Sequence, residues 1–251
     1  MKTLAALLAL VSLTLTSTFA QPGPMGGGGF GGNPAIVKFF GSNNSFSATC
    51  AMKMTGQSGD ETMSGEMKYA MLDGKVRVDI DMTKMKSAQM PAAAMAQMKQ
   101  LGMTELTSIM RQDLKLAYII YPGLASYAKM PLRAQDAAAM EKAAKVEVTK
   151  LGEETIDGHP CVKNQAVVTD DSGAKHEALL WNATDLKDFP VQIQSTEAGN
   201  TAIMTFKNIS IAKPDTKLFE PPTGFTAYEN VQMMMMASMQ KMMGSGSMPP
   251  Q

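Results

Sequence analysis

The sequence predicts a mainly β domain with a few helices, an α+β protein dominated by antiparallel strands, because three features recur along it. Apolar and polar residues alternate over many short segments, as in strands with one buried side and one wet side. Asp-Gly pairs, which tolerate the positive φ angles of tight hairpins, separate such segments at 73–74 and 157–158. The segments also follow one another at short intervals, which indicates an antiparallel meander.

The first hairpin is the clearest part of this pattern. Apolar residues occupy every second position of 67–71 and of 76–82, on either side of Asp73-Gly74. Another alternating segment, 46–54, precedes them. We therefore expect one side of each strand in the core and the other, which carries Asp79, in water. The apolar positions of the hairpin are Met67, Tyr69, Met71, Val76, Val78, Ile80 and Met82.

The same pattern predicts eight more strands further along the chain. They are separated by turn-forming residues, including Pro122-Gly123, the segment 171–173 and the segment 198–200. The predicted strands are 106–111, 116–121, 125–130, 146–156, 161–169, 175–182, 191–195 and 201–211.

Two helical segments interrupt the strands. The segment 89–101 is followed by a glycine, a common helix stop, and places Met95, Met98 and Leu101 on one stripe. The segment 136–145 is rich in alanine and begins with an aspartate that can act as an N-cap.

The chain begins with the features of a cleaved secretory signal. Lys2 supplies a positive charge, residues 4–15 form an apolar run, and Thr18-Phe19-Ala20 fits a signal-peptidase site. An N-terminal membrane anchor is the alternative, but the apolar run is too short to span a bilayer. We therefore expect residues 1–20 to be removed and the mature protein to begin at Gln21 in the periplasm.

Two segments of unusual composition flank the predicted domain. Residues 21–34 are rich in glycine and proline and are expected to form a flexible leader. Residues 231–251 are rich in methionine and are expected to form a flexible or partly helical tail. The folded domain is expected at 35–230, which is long enough for one buried core.

The charge balance argues against two classes of partner. The chain has 23 basic and 23 acidic residues, and removal of residues 1–20 would take away only Lys2. Such a balance provides no broad positive field for nucleic acid or for an anionic membrane surface. We therefore expect no nucleic-acid partner. Because the apolar run of residues 4–15 is too short to span a bilayer, we also do not expect the chain to span a membrane.

Two cysteines, Cys50 and Cys161, are too few for a disulfide-dense scaffold. In an oxidising compartment they could form one bridge. The alternative is a pair of buried free thiols that pack as small apolar groups. Because the distance between the two residues does not follow from the sequence, both alternatives stay open.

The sequence carries no recognisable catalytic motif, so we expect no enzymatic activity. His159 and Cys161 could suggest a nucleophile pair, but such a pair needs a third group to orient the base. A histidine directly after a turn is more simply an exposed turn residue. Asp79 and Asp81 alternate with apolar residues, as on the wet side of a strand. We therefore predict no catalytic residue, no metal site and no cofactor.

Methionine is unusually frequent, at 25 of 251 residues. The methionines on predicted strands keep the alternation and are expected in the core. The cluster at 233–243 has three interpretations. It could offer thioether ligands to a soft metal such as copper(I), form an adaptable apolar helix, or reflect compositional bias in a flexible segment.

Several segments together resemble the LolA-like lipoprotein-carrier superfamily. In residues 152–161, GEETIDGHPC, the glycines, isoleucine and cysteine have the spacing of a hairpin in that family. Residues 218–225, LFEPPTGF, resemble its C-terminal ending. Between and before these lie further segments in the family's order, and together they cover most of 45–228. These further segments are 73–79, 180–182, 189–193 and 206–209.

The resemblance implies a curved antiparallel sheet that forms an incomplete barrel, with a helical lid over its concave face. Members of the family bind acyl chains or other apolar ligands between sheet and lid. The helix at 89–101 would then be a lid helix, and its methionines would suit a mobile apolar chain. The ligand-binding residues that this implies are Val76, Val78 and Ile80 on the sheet and Met95, Met98 and Leu101 on the lid.

We therefore expect an exported, non-enzymatic protein that binds an apolar ligand, either a lipid or acyl chain or a lipid-modified protein. Two alternatives belong to other classes: soft-metal binding through the methionine-rich tail, and a structural or interaction module of the cell envelope. An ordinary closed core beneath the lid would leave the first hypothesis without a site.

Overall fold

The computed structural model describes residues 34–88, 90–132, 145–169, 173 and 175–244. These residues form one large antiparallel sheet with three α-helices, α1 (Pro34–Phe39), α2 (Ala92–Gln100) and α3 (Val231–Gly244). The strands are β1 (Ser45–Thr55), β2 (Glu61–Leu72), β3 (Lys75–Asp81), β4 (Lys86–Ser87), β5 (Glu105–Arg111), β6 (Leu116–Tyr121), β7 (Ser126–Pro131), β8 (Lys145–Ile156), β9 (His159–Thr169), β10 (Lys175–Ala183), β11 (Phe189–Glu197), β12 (Asn200–Ser210) and β13 (Thr226–Tyr228).

The sheet consists of two meanders joined side by side. The strand order is β13-β7-β6-β5-β3-β2-β1-β12-β11-β10-β9-β8, and β4 pairs with β2. The last strand of the second meander, β12, pairs with the first strand of the first, β1. Of the described pairs, β13 with β7 is parallel and the rest are antiparallel. Because β13 and β8 end the order without pairing to each other, the sheet is open, and the predicted fold class is confirmed.

The Asp-Gly turns lie where the sequence predicts them. Asp73 and Gly74 have φ angles of 47° and 80°, and Asp157 and Gly158 have 51° and 88°. Two consecutive positive φ angles are the geometry of a two-residue type I′ hairpin, whose twist matches that of the flanking strands. These turns fix the register of β2 with β3 and of β8 with β9.

Helix α2 is shorter than the predicted helix 89–101. It begins at Ala92 because the residue before a proline disfavours helical geometry, and Pro91 itself is extended, with a ψ of 147°. It ends at Gln100, where Leu101 is the C-cap and Gly102 takes a φ of 69°. The second predicted helix, 136–145, lies outside the described residues except for Lys145, which is instead the first residue of β8.

The two faces of the sheet carry separate cores. The first face, called the lid face here, carries the apolar residues of β3 and packs against α1 and α2. The opposite face, called the outer face, is covered by the segment 216–225, from which Phe219 is fully buried. The outer core also contains Ala70, Leu72, Ile109, Leu116, Tyr118 and Ile120.

The predicted N-terminal signal and most of the predicted leader, residues 1–33, lie outside the described residues, as do positions 171 and 172 of one predicted turn. The first part of the predicted tail forms α3, from which Met234 is fully buried. No helix of the described part of the chain is long and apolar enough to cross a membrane.

Candidate ligand-binding site

One end of the lid face is an aromatic cluster of five rings. Phe46 lies at its centre, and its ring centroid is 4.7 Å from that of Phe40 and 4.8 Å from that of Phe189. Tyr69 stacks on Phe46 at 5.7 Å, and Phe206 meets Tyr69 edge to face at 5.9 Å. Four of the rings come from strands, whereas Phe40 directly follows α1. Helix α1 therefore closes this end of the core with a stiff, well-packed group.

The neighbouring part of the lid face is built largely of methionine, and we call it the methionine layer. Strand pairing brings Met52 opposite Met204 and Met54 opposite Met63. Gly65 leaves room for one more, because a Cβ at this position would lie 2.2 Å from the sulfur of Met85. The layer contains Met52, Met54, Met63, Met67, Met85, Met90, Met95, Met98 and Met204.

Helix α2 contributes to this layer from above the sheet. Met95 and Met98 are half-buried and pack against the core of the lid face. No residue of α2 is itself buried, and Pro91 provides no side-chain cap to the helix. Leu101 is half-buried at the C-cap. The helix is thus attached by partial side-chain contacts, unlike the end of α1, where Phe39 and Phe40 are 6% and 1% exposed.

The structure brings five of the six predicted ligand-binding residues to one core. Val76, Val78 and Ile80 lie on the lid face and are 2%, 2% and 4% exposed. Met95 and Met98 pack against the same core. The β3 residues are therefore covered in this structure.

Tyr69 is a functional candidate that the sequence predicts only as a buried residue of β2. Its side chain is 1% exposed, and none of the described residues is a hydrogen-bond partner of its hydroxyl. Burial raises its pKa, so the hydroxyl is protonated and neutral. The alternation of β2 could have indicated this buried hydroxyl, because a tyrosine at an apolar position of such a strand must bury its hydroxyl.

In the structure the two cysteines are free and buried. Three strands, β12, β11 and β10, lie between β1 with Cys50 and β9 with Cys161. Burial raises the pKa of the Cys50 thiol to about 12. The Cys161 thiol donates to the carbonyl oxygen of His159 at 3.3 Å, and burial raises its pKa too.

The geometry around these thiols is unlike that of a cysteine nucleophile. Nδ1 of His159 lies 2.8 Å from a carboxylate oxygen of Asp185, on the exposed side of the turn. A raised thiol pKa lowers the thiolate fraction, which is the opposite of what a nucleophile requires.

Asp79, on the polar side of β3, is less exposed than the sequence predicts. This residue lies on the face opposite Val78, but it is half-buried rather than in open water. Its carboxylate accepts hydrogen bonds from Arg77, at 2.7 Å and 2.9 Å, and from the hydroxyl of Thr107. The reason is that the segment 216–225 returns across the outer face and covers this part of the strand.

Asp81 also has a structural role. Its carboxylate accepts from the main-chain N–H and the hydroxyl of Thr83 and so caps the short 3-10 helix Met82–Lys84. These bonds hold the pKa of Asp81 below its ordinary value. Among the described residues, no group of three or more His, Cys, Asp or Glu side chains could hold a metal ion.

Helix α3 presents methionine on a surface away from the methionine layer. Met233, Met236 and Met239 are 47%, 56% and 44% exposed and recur every third residue. A groove of 690 Å³ lies near the start of this helix, also outside the lid face. It is lined by Leu114, Lys115, Leu116, Lys129, Pro131, Ala227, Tyr228, Glu229 and Asn230.

A family model matches more than half of the chain. It is described as Domain of unknown function (DUF4412), and it covers residues 46–189, from β1 to the first residue of β11. No curated protein shows significant similarity to the chain.

Solved structures resemble the chain at low sequence identity. A LolA superfamily protein from Nitrosomonas europaea is 11% identical, with a TM-score of 0.37, and the match covers 75% of this chain and 96% of that one. LprF from Mycobacterium bovis is 13% identical, with a TM-score of 0.38, over 73% and 95%. A putative outer membrane lipoprotein-sorting protein domain from Vibrio parahaemolyticus is 10% identical, with a TM-score of 0.32, over 74% and 95%.

Proposed function

The chain belongs to the DUF4412 family, and we propose that it is an exported, non-enzymatic binding protein that accommodates an apolar ligand between its sheet and helix α2. The ligand is a lipid or acyl chain, free or attached to a lipid-modified protein. Export to the periplasm rests on the signal-like residues 1–20.

One observation carries this proposal: α2 lies over an apolar core without burying any of its own residues. A helix that served only to complete a core would bury an apolar stripe. Here Met95 and Met98 are half-buried, and the helix has no side-chain cap at its N-terminus. Such an element lies at the low end of local stability, as expected of a segment that moves for a ligand.

The free energy gained by burying a ligand chain exceeds the cost of lifting α2 from the sheet. Full burial of a methionine side chain is worth about 1.5–3 kcal/mol, so lifting two half-buried ones costs a few kcal/mol at most. Each buried CH₂ group of a ligand contributes about 0.8 kcal/mol. An acyl chain of ten carbons therefore offsets the cost of opening and still retains useful affinity.

The methionine layer supports the same proposal. Methionine has an unbranched, polarisable side chain that repacks with little strain. A core lined by nine of them, on the sheet, on α2 and on the segment that leads to α2, can adapt its shape to an inserted chain. The stiffer aromatic cluster at the other end would keep the sheet in register while the layer opens.

Two measurements test this function. Native mass spectrometry of gently purified protein should detect a co-purified apolar ligand. Thermal unfolding should then shift upward with added phospholipid or fatty acyl ester, and the shift should grow with ligand excess. Absence of both the ligand and the shift contradicts the proposal.

A second candidate function, soft-metal binding, is favoured by the exposed stripe of Met233, Met236 and Met239. Thioether sulfur is a ligand for copper(I), and residues three apart lie on one side of a helix. Titration with copper(I) under reducing conditions should saturate in the wild type and fail after all three are changed to Leu. Equal binding by the two proteins excludes this candidate.

A further inference from the structure

The hydroxyl of Tyr69 is an unused polar group inside the proposed binding region. Among the residues that the structure describes, none provides it with a hydrogen-bond partner. Buried side-chain polar atoms are paired in the large majority of native structures, because an unpaired one loses its bonds to water without compensation. An unpaired buried hydroxyl of this kind would be explained by a ligand group that bonds to it.

Tyr69 lies where the aromatic cluster meets the methionine layer. The rings of Phe46 and Phe206 lie 5.7 Å and 5.9 Å from its own ring. Met67, two residues earlier on β2, belongs to the methionine layer and lies on the same face of the strand. A chain inserted under α2 into the methionine layer would therefore end near this hydroxyl.

A buried water is a poor explanation for the hydroxyl. An ordered internal water usually makes two to four hydrogen bonds. The rings of Phe40, Phe46 and Phe206 lie 5.7–5.9 Å from its own ring, and the Cys50 thiol, fully buried on the neighbouring strand, is only a weak donor. These described neighbours offer too few partners to hold a water.

Resting on the proposed function, we infer that the ligand carries an uncharged hydrogen-bond acceptor, such as an ester or amide carbonyl, which accepts the proton of the Tyr69 hydroxyl. The hydroxyl is neutral, so it can donate to this oxygen. The apolar chain beyond the carbonyl would lie in the methionine layer.

The acceptor must be uncharged because none of the buried side chains described on the lid face is charged. The buried charged side chain that the structure describes, Arg111, is on the outer face, where it bonds to the segment 216–225. A carboxylate transferred into an apolar core without a cation pays a large desolvation cost. An acylated lipid or lipid-modified chain therefore fits better than a free fatty acid.

Three chain-matched probes test this inference: methyl laurate, tridecane and laurate. In the wild type, methyl laurate should bind on the order of fivefold more tightly than tridecane, the effect of one net hydrogen bond. Laurate should bind more weakly than the ester. In Tyr69→Phe the preference for the ester over tridecane should disappear. Tyr118→Phe, a buried tyrosine of the outer face, is the matched control and should keep the preference.

The possible results separate the inference from the function on which it rests. If wild type and Tyr69→Phe show the same preference for the ester, or if laurate binds best, the inference is wrong while the binding function stands. If no probe binds the wild type, the function fails and the inference with it. The ligand-free Tyr69→Phe protein should melt no lower than wild type, since the lost hydroxyl has no partner among the described residues. A clearly lower melting temperature would reveal a partner and overturn the inference.

Discussion

Arg77 on β3 donates a hydrogen bond of 2.8 Å from Nη1 to the main-chain carbonyl of Leu218, which lies 141 residues further along the chain. Arg111, on the adjacent strand β5, reaches the same segment through the carbonyl of Phe219 at 3.3 Å and the carboxylate of Glu220. Two arginines thus fasten the returning segment 216–225 to the outer face. This attachment keeps Phe219 fully buried.

Arg111→Met should destabilise the protein by about 2–3 kcal/mol, because hydrogen bonds to charged groups are worth roughly 1.5–3 kcal/mol and a buried carbonyl would lose its donor. The variant keeps much of the side-chain length. Denaturant unfolding measures the change. Lys84→Met, which removes an exposed ion pair with Asp81, is the control and should cost less than about 1 kcal/mol. Equal stabilities of the two variants would show that Arg111 does not hold the segment.

The pH dependence of stability should include a contribution from Asp113. Hydrogen bonds from Arg111 hold the pKa of Asp113 below its ordinary value. A depressed pKa gives stability that is present above the unfolded-state value, about 3.9, and is lost as the pH falls through the folded-state value. The melting-temperature difference between wild type and Asp113→Asn should therefore be largest near neutral pH and vanish in strong acid. A constant difference would contradict this linkage.

The strands were predictable because their signal is local. Alternation along β1, β2 and β3 and the Asp-Gly turns depend on neighbouring residues, and the structure places these elements as expected. The surroundings of Asp79 depend instead on a segment some 140 residues away, since Leu218 and its neighbours return to cover the outer face. No local pattern carries that information.

Parts of the candidate site were predictable for the same reason. Residues Val76, Val78 and Ile80 follow from alternation, and Met95 and Met98 follow from helical spacing. Helix α1 was not predicted, because six residues at the end of a Gly- and Pro-rich segment have little helical tendency of their own. The burial of Phe39 and Phe40 accompanies this helix, a tertiary effect that a sequence window cannot detect.

Val78→Lys and Asp79→Lys should differ in cost although the residues are adjacent. Val78 is 2% exposed on the lid face, so an unpaired charge there should cost several kcal/mol, enough to unfold a marginal domain. Asp79→Lys loses the bonds from Arg77 and Thr107 and should cost about 1–3 kcal/mol. Thermal unfolding followed by circular dichroism measures both. Similar melting temperatures would mean that the strand register is wrong.

Cys50 should resist alkylation in the folded protein. The side chain is fully buried, and burial raises its thiol pKa to about 12, so little thiolate is present at pH 8. Iodoacetamide labelling at pH 8 with mass analysis should therefore modify Cys50 only on the time scale of unfolding. The intact mass should also be the same with and without reductant, because the two thiols are free. Rapid labelling of Cys50, or a gain of two hydrogens on reduction, would contradict the structure.

The double variant Met95→Glu and Met98→Glu should abolish ligand-induced stabilisation while leaving the fold intact. Both side chains are half-buried at the edge of the core, so the new carboxylates can turn to water, and the expected loss of stability is about 1–2 kcal/mol. A ligand chain between α2 and the sheet, however, would then meet two charges instead of two methionines. The measurement is the melting temperature with and without methyl laurate, together with the far-ultraviolet circular dichroism spectrum.

The matched control changes two exposed methionines of α3, Met233 and Met236, to Glu. This variant introduces the same charges on a surface away from the lid face, and it should keep the full ligand shift. If the two double variants respond alike to ligand, the binding site is not beneath α2. If the α2 variant instead unfolds and the wild type has no ligand shift, Met95 and Met98 complete an ordinary core and α2 is not a lid.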